Sequence, residues 1–493
     1  MATVLVCDAT RVNEYSTILL PGGESALDRV FRYANDLPVD RRVVLKSPEL
    51  AVSLPEGWNL REETDWDSDA LLRAMQAESE EGDRVLVVAG DEPFLQRTIT
   101  ERILALQSRY KTEYTFADGY PEGVAPELLE AAILPVLRKL NEEHPEEAGR
   151  DFLFRIIQHD INAFDLETEI AAVDLRLLRA SLTCDSRRNH LLCRRLLESG
   201  VMEEEAILRK LQEDRSLLRT LPAYFNVQVT NRYAQKVSYE PFHELQEGEE
   251  PVEMELPRFE ALLREIEAFA PESVVSIGYR GEPGLHSAVL EMIRAVEASR
   301  SLSLYLETSG VGWDETALEA LEGLSLRRTT IIVLLDAASE SVYRELRGEG
   351  FTEAIRFANR MRKAHPERCY VQATRLVEYQ ESLEEFYKAW KEDNPIIQKY
   401  NHFCGELPDR RVTDLSPLER FPCWHLQRDV TVLLDGTVPR CQEDIHRNHT
   451  LGNLFEEGLE AVWERGRGVF DAHTRGEYPD ICGNCDEYYT YNA

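Results

Sequence analysis

Short apolar runs and helix-period stretches alternate along the first 150 residues of the chain. The runs at 3–9, 41–46 and 83–93 have the length and the β-branched content of buried strands. The stretch at 25–37 carries apolar residues at helical spacing. Strands that alternate with helices predict a layered α/β domain over residues 1–150.

The pattern changes between residues 151 and 222. Charged, leucine-rich stretches at 167–182 and 203–221 place apolar residues at positions i, i+3, i+4 and i+7. Pro222 follows, and proline cannot continue a helix. We therefore predict a helical linker over residues 151–222.

A second alternating series occupies residues 223–414. Amphipathic helical stretches separate its strand-like runs, which predicts parallel strands joined by helices in a barrel or partial barrel. In such a fold the chemistry lies on the loops that follow the strands. The predicted strands fall at 224–231, 273–279, 301–310, 329–337 and 369–377.

Composition and charge exclude several classes of function. The chain has 493 residues, too many for one hydrophobic core. Its formal net charge of −34 opposes binding to nucleic acid or to an anionic membrane, because phosphate groups would be repelled. No segment approaches the ~20 apolar residues of a membrane span, and the first residues lack the features of a signal peptide. Nine unevenly placed cysteines are typical of a reducing compartment, so we expect a cytoplasmic protein.

Four of the cysteines lie close to the C-terminal end of the sequence, where turn residues replace long helices. Cys423 and Cys441 flank a stretch that predicts a hairpin with a DG turn, which would bring the two thiols together. Cys482 and Cys485 form a CxxC motif around a glycine. Two pairs of thiolates suit zinc or an iron–sulfur cluster. Spacing alone does not separate the two metals, and buried cysteines without a metal are the alternative.

The spacing of these cysteines resembles the SPASM domain, the auxiliary-cluster extension of many radical-SAM enzymes. Gly436 and the segments 451–453 and 461–463 also match its pattern. The resemblance covers residues 415–493. It implies one [4Fe-4S] cluster on Cys423, Cys441, Cys482 and Cys485, with zinc as the alternative, because no cysteine follows the CxxC motif.

Cys404 is the nearest further thiol, 19 residues before Cys423. It could replace one of the four predicted ligands. A buried cysteine with no metal role is the interpretation that we favour, since cysteine often serves as a small core residue.

Residues 223–414 resemble the partial (β/α)6 barrel of radical-SAM enzymes. In that family a CxxxCxxC motif after the first strand holds a [4Fe-4S] cluster that chelates S-adenosylmethionine. Tyr233, Val237 and Glu240 occupy the three cysteine positions here, and none of these side chains replaces a soft thiolate. The resemblance therefore predicts a protein without classical radical-SAM catalysis, and we predict no catalytic residue.

Two barrel loops keep the family's pattern for binding S-adenosylmethionine. Gly281, Glu282 and Pro283 follow the second predicted strand, and Thr308 follows the third. The resemblance implies these four residues as cofactor-binding positions. S-adenosylmethionine is thus a candidate cofactor, although the cluster that anchors its methionine end is missing.

Residues 1–150 resemble nucleotidyltransferases with the GT-A-like fold, in which a glycine loop cradles phosphates and an aspartate binds Mg²⁺. The loops at 21–27 and 90–95 match that pattern, with Asp91 as the aspartate. The usual glycine-rich loop directly after the first strand is absent. We therefore expect a degenerate domain with a structural role.

Over most of its length the chain is similar to the spirochaete proteins called spiro-SPASM proteins. This resemblance predicts an iron–sulfur protein that acts through its cluster or its surface, with an unidentified protein or redox partner. Two alternatives remain. One is an enzyme of altered mechanism at the barrel mouth, and the other is an active nucleotidyltransferase that uses the first domain.

Overall fold

The computed structural model describes residues 2–392 and 395–490. Residues 393–394 of the predicted barrel and 491–493 of the predicted SPASM module lie outside the described residues. The chain divides into two compact units, residues 1–220 and 221–493. Along the described ranges, no helix combines the length and the apolar character that crossing a membrane requires.

The first unit is built on a seven-stranded sheet. Its strands are β1 (Thr3–Asp8), β2 (Arg41–Lys46), β3 (Asn59–Glu62), β4 (Arg84–Ala89), β5 (Tyr114–Asp118), β6 (Glu127–Glu130) and β7 (Leu166–Ile170). Their order across the sheet is β3-β2-β1-β4-β6-β5-β7. Strand β6 runs antiparallel to both of its neighbours, and the other pairs are parallel.

Helices cover this sheet. They are α1 (Glu14–Thr17), α2 (Ala26–Asp36), α3 (Ser68–Glu78), α4 (Arg97–Tyr110), α5 (Leu134–Glu143), α6 (Phe152–Gln158), α7 (Arg187–Glu198) and α8 (Glu204–Glu213). Helix α2 begins with a capping box, in which the Ser25 hydroxyl accepts from Asp28 N at 3.1 Å and Asp28 accepts from Ser25 N at 3.0 Å. The apolar faces of α3, α5 and α6 pack with the sheet in one core.

The predicted helical linker at 151–222 differs from the structure. Strand β7 lies inside this stretch and pairs in parallel with β5, so the first unit extends to residue 220. Leu166, Thr168 and Ile170 alternate with charged residues, and this period of two marks a strand. The high charge of the stretch made a solvated helix the simpler prediction.

The second unit contains the predicted parallel α/β barrel. Its strands are β8 (Tyr224–Val227), β9 (Val274–Ser276), β10 (Ser303–Thr308), β11 (Thr329–Leu334), β12 (Cys369–Arg375), β13 (Pro395–Lys399) and β14 (Asp429–Val432). Strands β8 to β13 lie side by side in chain order, and β14 joins the free edge of β8. Every pair in this sheet is parallel. The predicted partial barrel is therefore confirmed, and β14 adds a seventh strand to the six that the resemblance implies.

Helices follow the barrel strands and form the C-terminal module. They are α9 (Phe242–Leu245), α10 (Leu256–Phe269), α11 (Val289–Glu297), α12 (Glu315–Glu322), α13 (Glu340–Arg347), α14 (Phe351–Ala364), α15 (Gln380–Trp390), α16 (Trp424–Arg428), α17 (Leu454–Glu457), α18 (Leu459–Arg465) and α19 (Arg467–Thr474). Helix α10 buries Phe259, Leu262, Leu263 and Ile266, the i, i+3, i+4 and i+7 positions of one face. Because all strands are parallel, the loops after them meet at one end of the barrel.

The predicted hairpin between Cys423 and Cys441 is wrong. Strand β14 pairs with barrel strand β8, whereas the next strand, β15 (Thr437–Pro439), pairs in antiparallel fashion with β16 (Thr450–Asn453). Only the turn remains, with Gly436 at a φ of 86°, which favours glycine. The two halves meet at the turn, where Leu433 N donates to Thr437 O at 3.0 Å, but each half forms its ladder with a different strand.

Candidate metal centre and barrel pocket

The four predicted ligand cysteines come from separate elements of the second unit. Cys423 directly precedes helix α16, and Cys441 follows strand β15. Cys482 lies within the 3-10 helix Asp480–Asn484, and Cys485 ends it. Cys423 and Cys482 are buried, whereas Cys441 and Cys485 are half-buried. A short helix, a strand end and a 3-10 turn therefore present the thiols.

The structure brings these four thiols into one region. Burial, followed by the negative charge of neighbouring groups that include the other three thiols, raises the pKa of Cys441 well above its usual value. Burial, followed by the charge of Cys485, does the same to the pKa of Cys423. Binding of a metal cation would relieve this repulsion. Within the described ranges, no three His, Cys, Asp or Glu side chains are already arranged to hold a metal ion.

Hydrogen-bond donors face the sulfur atoms of this group. The Cys423 sulfur accepts from the backbone N–H groups of His425 and Leu426. The Cys485 sulfur accepts from Glu487 N at 3.3 Å, and the side chain of Arg440 donates to Cys482. Such N–H···S bonds stabilise thiolates and set the potential of iron–sulfur clusters. The donor set therefore fits a thiolate-bound cluster.

A fifth thiol, that of Cys404, belongs to the same group. It lies in hydrogen-bonding contact with the thiol of Cys485. Cys404 is half-buried and follows barrel strand β13 in the 3-10 turn Phe403–Gly405. The sequence left Cys404 open as a replacement ligand, 19 residues before Cys423, and favoured a buried cysteine with no metal role.

Side chains fill the loop that replaces the radical-SAM cluster motif. Val237 is buried and packs with Tyr239, Leu346, Leu376 and Tyr400. Apolar packing therefore occupies the position of the second cysteine in the motif.

The other two replaced positions line a cavity. Tyr233 is half-buried, and its hydroxyl has no hydrogen-bond partner among the described residues. Burial raises the pKa of Glu240 to about 7, with Asp336 and Glu307 adding to the shift and Arg347 opposing it. The three positions thus supply one phenol, one apolar side chain and one carboxyl group.

A buried ion pair fixes this loop to the barrel. Arg347 Nη1 lies 2.5 Å from Asp336 Oδ2, and their side chains are 4% and 2% exposed. The Tyr239 hydroxyl donates to the same carboxylate and accepts from Arg347 at 3.0 Å. Gln235 accepts from Arg347 Nε at 3.2 Å. The loop is thus anchored at both Gln235 and Tyr239.

The predicted S-adenosylmethionine residues meet in a closed network. The Glu282 carboxylate accepts from Thr308 Oγ1 at 2.5 Å and from Gly284 N at 3.0 Å. It also accepts from the backbone N and the hydroxyl of Ser309, at 2.8 and 2.6 Å. Four bonds satisfy the acceptor capacity of a carboxylate. Glu282 is therefore satisfied by its own protein.

Gly281 and Pro283 position the same loop. A Cβ atom at Gly281 would lie 2.1 Å from the backbone oxygen of Thr230, so only glycine fits there. Pro283 begins the 3-10 turn Pro283–Leu285. The structure brings the four predicted residues together, and their role in cofactor binding stays a prediction.

A cavity of about 180 Å³ lies at the mouth of the barrel. Glu240, Glu307 and Arg280 line it together with Lys399. Glu307 accepts from Ser276 at 2.6 Å, and burial raises its pKa. The cavity thus holds two carboxyl groups whose pKa values are raised by burial, beside two cations.

In the first unit, an arginine occupies the surroundings of Asp91, the predicted Mg²⁺ ligand. Arg150 forms a bidentate pair with Asp91, at 3.0 and 2.8 Å. It also contacts Glu92 at 2.8 Å, Glu122 at 3.0 Å and Asp185 at 3.5 Å. This cluster lines a cavity of about 420 Å³. Sequence reasoning missed Arg150, because an isolated arginine before a helix gives no signal.

Comparison with known proteins matches both ends of the chain. Residues 423–486 match SPASM, described as an iron-sulfur cluster-binding domain. Residues 9–160 match the MobA-like NTP transferase domain. An uncharacterized protein of Treponema pallidum (strain Nichols) is 38% identical over 356 residues, which is 69% of this chain and 98% of that protein.

The solved structures that resemble this chain have lower sequence identity to it. The Streptococcus suis SuiB structure with bound precursor peptide SuiA is 15% identical, with a TM-score of 0.42 over 55% of this chain and 76% of that one. The structure of anSMEcpe with bound AdoMet is 12% identical, with a TM-score of 0.40 over 51% of this chain and 81% of that one.

Together, the cysteine group and the SPASM match define a protein with an iron–sulfur cluster-binding SPASM domain at its C-terminal end and a MobA-like NTP transferase domain as its first domain. The chain belongs to the family of spirochaete SPASM proteins that includes the T. pallidum protein.

Proposed function

We propose that this protein holds one [4Fe-4S] cluster in its SPASM module and carries no radical-SAM cluster in its barrel. The observation that carries the proposal is the grouping of Cys423, Cys441, Cys482 and Cys485, with N–H donors directed at their sulfur atoms. When bound, such a cluster supplies one-electron redox chemistry. The function is then electron transfer to or from an unidentified protein partner.

The loop that replaces the radical-SAM cluster motif supports the proposal that the barrel carries no cluster. Val237 lies in an apolar core, and the loop is anchored by the ion pair of Asp336 and Arg347. A [4Fe-4S] cluster needs soft thiolate ligands, which Tyr233 and Glu240 do not supply. The saturated Glu282 carboxylate also argues against an ammonium group of S-adenosylmethionine as its partner.

Metal analysis of the anaerobically purified chain tests the proposal. We expect about four irons and four sulfides per chain, and an EPR signal after reduction. Cys441→Ala should remove this iron, whereas Cys369→Ala, a buried thiol on strand β12, should keep it. One zinc without sulfide would refute the cluster. Production of 5′-deoxyadenosine from S-adenosylmethionine by the reduced protein would refute the loss of radical-SAM catalysis.

A second candidate function is an enzyme of altered mechanism at the barrel cavity. Glu240 favours this candidate, because burial raises its pKa to about 7, which suits general acid–base chemistry near neutral pH. Nucleotidyl transfer by the first unit is opposed by Arg150, whose guanidinium already neutralises Asp91. Release of pyrophosphate from any of a panel of nucleoside triphosphates would instead support nucleotidyl transfer by the first unit.

A further inference from the structure

The segment that leads from the barrel to the cysteine group carries an unassigned thiol. We define residues 399–405, which begin at the end of strand β13, as the arm. Cys404 lies in the arm, in the 3-10 turn Phe403–Gly405, which packs against the 3-10 turn Asp480–Asn484 that ends at Cys485. Cys404 is therefore the fifth member of a group of five thiols, four of which belong to the SPASM match at 423–486.

Polar contacts fasten the arm to both halves of the cysteine module. Asn401 Nδ2 donates to both carboxylate oxygens of Glu443 at 3.0 Å, two residues beyond Cys441. Lys399 Nζ lies 2.9 Å from Asp486 Oδ2, and His402 Nε2 lies 3.0 Å from the other oxygen of that carboxylate. Asp486 directly follows Cys485. The arm thus has a fixed position relative to two predicted ligands.

The backbone of the arm directs Cys404 towards Cys485 at an energetic cost. Phe403 and Cys404 have φ values of 49° and 56°, in the left-handed region that side-chain-bearing residues rarely adopt. His402 Nδ1 accepts from Gly405 N at 2.8 Å and holds this turn. The contacts of the arm therefore stabilise a conformation that the chain would otherwise avoid.

We propose that Cys404 is a fifth thiol donor of the cluster site and can take the iron held by Cys485. This inference rests on the proposed cluster. In the exchange, Cys404 loses its proton and bonds iron, while the released Cys485 sulfur takes up a proton. One iron–sulfur bond breaks and one forms, so the number of thiolates on the cluster and its electrons are unchanged. The packing of the two 3-10 turns and the hydrogen-bonding contact between their thiols make Cys485 the partner of Cys404 in this exchange.

Alanine variants of the full-length protein, purified anaerobically, test the exchange. Cys485→Ala should keep most of its iron and sulfide, with an altered EPR line shape in the reduced state, because Cys404 replaces the lost ligand. Cys404→Ala should also keep most of its iron, with a spectrum close to that of the wild-type protein. The double variant C404A/C485A should lose nearly all of its iron. Cys369→Ala controls for loss of a buried thiol elsewhere in the unit.

The outcomes separate this inference from the proposed function. If C485A alone loses its iron as completely as C441A, Cys404 cannot serve as a ligand and the exchange is refuted. Loss of iron from C404A alone would also refute it, since Cys485 could then not hold that iron. If C441A itself keeps all its iron, the SPASM ligand set fails and the proposed function fails with it. Circular dichroism of each variant identifies any loss of iron that is caused by misfolding.

Discussion

Replacement of Arg150 by methionine should destabilise the first unit strongly. Arg150 is the cation that faces Asp91 and Glu92, which are 4% and 5% exposed. Methionine keeps much of the side-chain volume and removes the charge. Loss of one partner from a buried ion pair leaves an uncompensated charge and costs about 3–5 kcal/mol. The exposed partners Glu122 and Asp185 add less than about 1 kcal/mol each.

The size of this loss should depend on pH. Burial already raises the pKa of Glu92 to about 7, and Arg150 opposes that shift. Without Arg150 the pKa of Glu92 rises further in the folded state. A folded-state pKa above the unfolded value means that stability falls as pH rises through it. The free energy of unfolding of the variant should therefore be lower by about 3 kcal/mol or more at pH 8. The decrease should be smaller at pH 6, where Glu92 binds a proton.

Hydrogen exchange of the full-length chain in a urea series measures this effect. Peptides that cover strand β4 report the free energy of unfolding of the first unit by itself. Arg176→Met is the matched control, because Arg176 is 60% exposed and pairs with the exposed Asp174 and Asp118. It should lose much less stability than Arg150→Met, because exposed ion pairs contribute little. The reasoning is refuted if both variants lose the same stability, or if Arg150→Met loses more at pH 6 than at pH 8.

Three further predictions concern the second unit. Asp336→Asn keeps a residue that tolerates the φ of 62° but leaves the Arg347 charge unpaired, so urea unfolding should show a loss of about 3 kcal/mol. Gly281→Ala should cost about 2 kcal/mol in the same assay, because its Cβ would overlap the Thr230 oxygen. Burial lowers the pKa of His473 to about 4, so stability should fall as pH drops from 6.5 to 4, by up to about 3 kcal/mol. His473→Phe should remove that slope.

Each of these predictions has its own control. Gly323→Ala should be nearly neutral, since its Cβ would meet only ordinary contacts at 3.6 Å. Equal losses at Gly281 and Gly323 would contradict the steric argument. Asp314→Asn removes an exposed carboxylate that caps helix α12 and should cost much less than Asp336→Asn. If the stability of His473→Phe falls between pH 6.5 and 4 as steeply as that of the wild-type protein, the titrating group is another residue.

Local patterns in the sequence predict much of this fold. The apolar runs of β8 to β12 and the periodic face of α10 give the barrel, because buried parallel strands and amphipathic helices have distinct periods. Strand β13 was not predicted, since its five residues include only two large apolar side chains. Strand β14 was assigned to a hairpin. A local pattern does not reveal that its partner is β8, about 200 residues earlier.

For the candidate site, too, the sequence predicts some contacts and misses others. The CxxC motif and the spacing to Cys423 and Cys441 indicate a common ligand set, because short-range spacing constrains where thiols can meet. The contact of Cys404 with Cys485 depends on where strand β13 ends and on how Lys399 pairs with the tail. Such long-range contacts follow from tertiary packing, which the order of residues in one sequence does not display.

The arm also gives the barrel and the cysteine module a physical connection. Lys399 and Asn401 line the barrel cavity, and the same two side chains bind Asp486 and Glu443 beside predicted cluster ligands. A ligand that displaced Lys399 in the cavity would remove one cation from Asp486, which Arg411 also contacts. Loss of positive charge beside a cluster stabilises its oxidised state and so lowers its potential. Occupation of the barrel cavity and the redox state of a cluster in the module would then be linked.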